Sequence, residues 1–137
     1  MKWMIVTLAA LICAPAQADA LREAMQDYTD FAPYDAGIIL PDQITRDIYA
    51  SVAFIDTRTA EDFAEGSIPG ARHIEWRDVF ARLDDIPKKG KEILFCNTGA
   101  LSAQAAFGLR VLGYENVLLM QTGYHGWLKT AAYRPEG

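Results

Sequence analysis

Cysteine and histidine are scarce in this chain. Its 137 residues include two cysteines and two histidines. His73 and His125 share no close ligand spacing with either cysteine, so a zinc cage is excluded as a reading, and no metal or cofactor is expected. Positive charge is also short: 13 Lys and Arg stand against 18 Asp and Glu, a formal net charge of −5. An acidic balance argues against nucleic acid and anionic membrane as partners, and it gives no overall steering of an anionic substrate. Repeats and low-complexity tracts are missing, and no apolar run is long enough to span a bilayer comfortably.

The one sizeable apolar run lies at the start, in Met1-Lys2-Trp3-Met4-Ile5-Val6-Thr7-Leu8-Ala9-Ala10-Leu11-Ile12-Cys13-Ala14-Pro15-Ala16-Gln17-Ala18. One positive charge, an apolar stretch and a small-x-small ending read as a secretory signal peptide over residues 1–18. The expected location is therefore outside the cytoplasm, in the periplasm, with no membrane association once the signal is cleaved. Bulky Ile12 before Cys13 argues against lipid modification there. Residues 19–36 read as an amino-terminal extension, helical over Ala20 to Phe31, with Leu21, Ala24, Met25 and Tyr28 at helical spacing. The 137 − 18 = 119 residues after the signal suit one domain with one core, expected over residues 37–134, and leave little room for a second.

Loss of Cys13 with the signal leaves Cys96 alone. One cysteine forms no internal disulfide, so in an oxidising compartment it is buried and inert, paired with another molecule, or reactive. Its context decides for reactive. The apolar run Glu92-Ile93-Leu94-Phe95 reads as a buried strand, and Cys96-Asn97-Thr98-Gly99-Ala100-Leu101-Ser102 opens a small-residue loop before a helix over Ser102 to Leu112. The amides of such a loop and the positive end of the next helix favour thiolate over thiol.

Elsewhere, short strands are expected in Tyr34 to Leu40, Ser51 to Asp56, Arg72 to Ile74 and Val117 to Met120. Helices are expected over Asp42 to Tyr49, from Thr59 through Phe63, over Asp78 to Leu83, and after Thr122. Thr59 should cap its helix, with Asp62 reaching back as a capping-box partner. Gly113 should stop the helix that follows Cys96. Alternating strand and helix imply an α/β fold, three layers with a central, mostly parallel sheet. Sites in such sheets gather beyond the carboxyl ends of the strands, where Asp56, Cys96 and the residues after Met120 all fall.

Taken in order, Phe54-Ile55-Asp56-Thr57-Arg58 with Glu61 and Phe63, then Gly66-Ser67-Ile68-Pro69-Gly70-Ala71, the Cys96 loop, Leu112-Gly113-Tyr114 with Val117, and Gly123 with Trp127 resemble the single-domain rhodanese family of sulfurtransferases. The resemblance implies a rhodanese-like fold and a persulfide carried on Cys96, loaded by a sulfane-sulfur donor and discharged to a thiol or protein acceptor. It makes Cys96 the nucleophile and the amides of Asn97, Thr98, Gly99, Ala100, Leu101 and Ser102 the anion cradle, with Asp56 and Arg58 pairing beneath the loop in support. Relatives that use thiosulfate resemble C-R-x-G-x-R. Asn97 and Leu101 stand at the two arginine places, which points to a donor other than thiosulfate.

Phosphatases and arsenate reductases of similar plan resemble C-x5-R. Here Ser102 holds the sixth place and the next arginine is Arg110, so phosphoryl transfer lacks its cation clamp. His125 is left out of the catalytic set and Ser67 is given no role. Two readings stay open, an exported sulfurtransferase and a non-enzymatic sulfur carrier or partner-binding module. The sequence does not specify the oligomeric state.

Overall fold

The computed structural model describes residues 14–136. They divide into two compact units at Ala32 and Pro33. The first holds α1 (Ala14–Phe31), which begins before the expected Ala20 and runs through the expected cleavage point. Most of the signal-peptide reading falls on residues 1–13, outside the described residues. No helix among the described residues is long and apolar enough to cross a membrane.

The second unit is built on β1 (Ile38–Ile39), β2 (Val52–Asp56), β3 (Arg72–His73), β4 (Lys91–Phe95) and β5 (Val117–Met120). Every pairing is parallel and the strand order is β1-β5-β4-β2-β3. The sheet is thus all-parallel, where the sequence promised mostly parallel.

Successive side chains on a strand point to opposite faces, and the core divides accordingly. Ile55, Leu94 and Val117 pack on one face with Ala105, Ala106 and Leu109 of α4 (Ala100–Val111). Phe54, Ile93, Phe95 and Met120 pack on the other with Trp127 of α5 (Gly123–Thr130) and with Ile48 and Tyr49 of α2 (Arg46–Ser51). Helices on both faces give the expected three layers and explain why these strands read as continuous apolar runs.

Several element bounds differ from expectation. The helix expected over Asp42 to Tyr49 is a 3-10 turn, Pro41–Gln43, followed by α2, because Thr45 adopts extended dihedrals and caps α2 by accepting from the Ile48 amide. Asp78 to Leu83 gives way to a 3-10 segment, Phe80–Asp85, interrupted at Arg82, whose φ of −118° is not helical. Thr59 caps α3 (Ala60–Glu65) as expected, accepting from the Asp62 amide.

The most consequential shift is that α4 starts at Ala100, two residues before Ser102. Gly99, at φ 98°, turns the chain through left-handed space and lets the helix begin at once. Ala100, Leu101 and Ser102 therefore form the first turn of α4 instead of loop.

Candidate functional site

Parallel register aligns the carboxyl ends of three strands. Asp56 of β2 pairs with Phe95 of β4 and with His73 of β3. The residues after each strand are thereby delivered to one edge: Thr57 and Arg58, Cys96 to Gly99, and Glu75 to Arg77. Thr57 ties two of these segments, since its amide and its hydroxyl both donate to the Phe95 carbonyl, at 2.8 and 2.9 Å.

Cys96 is a free thiol, 4 % exposed. Its Sγ accepts from the Gly99 amide at 3.1 Å and from the Ser102 hydroxyl at 3.4 Å. The first amides of an α-helix have no intrahelical acceptor, and Gly99 brings no side chain to cap them. The sulfur takes that place.

Burial by itself pushes the thiol up. The Ser102 hydroxyl and the amides of Ser102, Thr98 and Gly99 outweigh it and hold Cys96 below its ordinary value of 9.0. A helix terminus adds about 0.3 to 1 kcal/mol at an exposed site and ~2 in a partly buried one, so the individual hydrogen bonds dominate. Within the expected cradle, Thr98, Gly99 and Ser102 act on the sulfur. Asn97 does other work, and Leu101 contributes an apolar wall.

The loop is held from both sides. On one side, the amides of Tyr124 and His125 donate to the carbonyls of Cys96 and Asn97, at 2.7 and 3.0 Å. Gly123, at φ 60°, sits so close that a Cβ there would collide with the Cys96 carbonyl and the Asn97 backbone. On the other side, Asn97 donates from Nδ2 to the Asp62 carboxylate at 3.3 Å and accepts at Oδ1 from Arg58 at 3.5 Å. Asp62 thus braces the Cys96 loop, where the sequence had it reaching back to Thr59.

Beneath lies the expected ion pair. Asp56 is fully buried, and Arg58 donates to its carboxylate from Nη2 at 2.7 Å and from Nε at 3.0 Å. Ser67, given no role from sequence, donates its hydroxyl to Asp56 Oδ2 at 2.7 Å, and Arg58 Nη2 also donates to the Gly66 carbonyl at 2.6 Å. The Tyr124 ring lies over the guanidinium, 4.2 Å from its carbon. Burial works against the Arg58 charge, but the Asp56 carboxylate prevails and holds its pKa above the ordinary arginine value. This cation is committed to the scaffold.

Above the sulfur opens a cavity of about 240 Å³. Cys96, Asn97, Thr98 and Leu101 line it from the loop and α4, and Thr57, Arg58, Thr59 and Asp62 from the end of β2 and the start of α3. The third wall is Glu75, Trp76 and Arg77, which sequence reasoning missed. The carboxyl-end rule applied to β3, as it was to β2 and β4, would have found them. His125 faces a different cavity with Thr122, Gly126 and Lys129.

Residues 41–130 match the rhodanese-like domain family. This chain belongs to that family. The rhodanese-like domain is 33 % identical over 78 residues to a sulfurtransferase of Allochromatium vinosum, a match covering 57 % of this chain and 73 % of that protein. In fold it is similar to a human single-domain sulfurtransferase, with a TM-score of 0.59 and 24 % identity over 69 % of this chain and 96 % of the other. It is also similar to a rhodanese-related protein of Thermoplasma volcanium, with a TM-score of 0.62 and 21 % identity over 66 % of this chain and 89 % of that one. The family match begins at Pro41, so the rhodanese-like domain takes in the whole Cys96 edge and leaves α1 outside.

Proposed function

We propose that the rhodanese-like domain is an exported sulfurtransferase that passes sulfane sulfur through a persulfide on Cys96. The observation that carries this reading is the Gly99 amide at 3.1 Å from a sulfur that also faces a cavity. A thiol meant only for packing has no need of a donor aimed at it. The thiolate is both nucleophile and leaving group, so stabilising it by preformed dipoles serves loading and discharge alike.

In loading, Cys96 S⁻ attacks the outer sulfur of a donor R–S–SH. One S–S bond forms as another breaks, R–S⁻ departs with the electron pair, and Cys96–S–SH remains. In discharge, an acceptor thiolate attacks that terminal sulfur and leaves as a persulfide, returning Cys96 S⁻. No net oxidation occurs and no cofactor is required.

Thiosulfate suits this site poorly, because Asn97 and Leu101 stand where two cations would meet its sulfonate. The same lack favours a second reading, in which the domain carries sulfur to one partner stoichiometrically. Export, with the periplasm as the location, rests on the signal-like residues 1–18.

Intact mass after exposure to a persulfide or polysulfide donor tests the proposal. The expected result is a gain of one sulfur atom, about 32 Da, absent in Cys96→Ser, since loading requires the thiolate. Catalytic release to excess thiol supports the enzyme, whereas a single turnover supports the carrier. Absence of any sulfur gain overturns both.

A further inference from the structure

Sulfur transfer as just described uses none of the third wall, yet Glu75, Trp76 and Arg77 reach the cavity together. The two guanidinium groups there differ in availability. The Arg58 side chain is 6 % exposed and bound to Asp56, whereas that of Arg77 is 74 % exposed, with Nη1 3.4 Å from Glu75 Oε1. An exposed ion pair contributes little and exchanges readily for another anion.

Arg77 stands at the rim while the sulfur lies at the floor, 4 % exposed. A sulfonate adjacent to the reacting sulfur would sit at the floor, beside Asn97 and Leu101. An anion several bonds away from that sulfur would reach the rim. Trp76 and Leu101 line the same cavity and give it apolar surface, and 240 Å³ admits a small molecule and not a bulky one.

Resting on the sulfur-transfer reading, we propose that Arg77 is a donor-specificity residue, taking the carboxylate of a small organic persulfide whose stem lies along Trp76 and Leu101. Glu75 holds the guanidinium in place and competes with the incoming carboxylate. The bond changes remain those of loading: Cys96 S⁻ takes the outer sulfur and the carboxylate-bearing thiolate departs.

The experiment compares two primary alkyl persulfide donors, those of mercaptopropionate and mercaptoethanol, by their second-order rates of Cys96 loading at low salt. The change in their ratio between variants isolates recognition of the carboxylate, because the difference between the leaving thiols cancels. Arg77→Gln should lower the carboxylate-to-neutral ratio about tenfold, as expected for loss of one charge-assisted hydrogen bond. Arg77→Lys should restore part of it, and Glu75→Gln should raise it by removing the competitor. An unchanged ratio in both Arg77→Gln and Glu75→Gln, with both donors loading the parent chain, overturns this inference alone. Failure of both donors on the parent chain overturns the sulfur-transfer reading and this inference with it.

Discussion

Removing the Ser102 hydroxyl is the sharpest perturbation of the cradle, because it deletes one donor to Cys96 Sγ and leaves every amide in place. A hydrogen bond to a charged group contributes about 1.5 to 3 kcal/mol, which at ~1.36 kcal/mol per unit corresponds to about one to two pKa units. Two features of the geometry favour the lower end. The Oγ to Sγ distance is 3.4 Å, and the same hydroxyl lies 3.2 Å from the Gly99 carbonyl. It carries one proton and serves one acceptor at a time.

Ser102→Ala should therefore raise the Cys96 titration midpoint by about one unit. The assay is the pH dependence of alkylation by iodoacetamide. At a pH below both midpoints the variant should react about threefold more slowly, because the greater nucleophilicity of its thiolate offsets part of the lost ionisation, and its plateau at high pH should lie above the parent's. A thiol whose folded pKa lies below 9.0 contributes stability that is fully present above that value and is lost as pH falls through the folded midpoint. Ser102→Ala should narrow that window from below. Superimposable midpoints would refute the reasoning and assign the hydroxyl proton to the Gly99 carbonyl in both protonation states.

Three further outcomes are expected. Leu101→Arg, which places a cation on the cavity wall, should raise the kcat/KM for thiosulfate about tenfold at low salt and less at high salt; no gain at low salt contradicts the account of donor preference. Arg58→Met leaves the Asp56 carboxylate buried with Ser67 as its remaining side-chain partner, and should cost about 3 to 5 kcal/mol in urea unfolding, the usual result of halving a buried pair. Gly123→Ala forces a Cβ into the backbone of Cys96 and Asn97; it should lower stability by about 2 to 4 kcal/mol and slow Cys96 alkylation, because α5 and the loop are in direct contact.

Legibility in the sequence followed the range of the physics. The continuous apolar runs of β2, β4 and β5 and the stop at Gly113 depend on local pattern, and all were readable. So was the pairing of Asp56 with Arg58, because the two residues flank the end of one strand. The early start of α4 was not, since the Ala and Leu after Gly99 suit a loop or a first turn equally, and the left-handed φ of Gly99 decides it.

The bracing of the loop escaped as well. Asp62 meets Asn97 across 35 residues of sequence, and Tyr124 meets Arg58 from another helix. Such contacts depend on tertiary register and leave no periodic trace. Thr122 is the clearest case, a β-branched residue at φ 70° beside the site. Propensity predicts against that conformation, and the closeness of α5 to the Cys96 loop imposes it. Arg77 lies just past β3, and a strand of only two residues is a weak marker of the sheet edge where sites gather.

The claim on which the account stands is that the Ser102 hydroxyl and the loop amides, without a guanidinium at the loop, favour the Cys96 thiolate. Titration of that thiol in the unmodified chain, followed by ultraviolet thiolate absorbance with Cys96→Ala as the blank, tests it most directly. A midpoint clearly below that of an unperturbed cysteine thiol, with absorbance that survives high salt because the donors are fixed and uncharged, is the predicted result. A midpoint at or above that of an unperturbed cysteine thiol would mean that burial outweighs the cradle, and the account would be wrong.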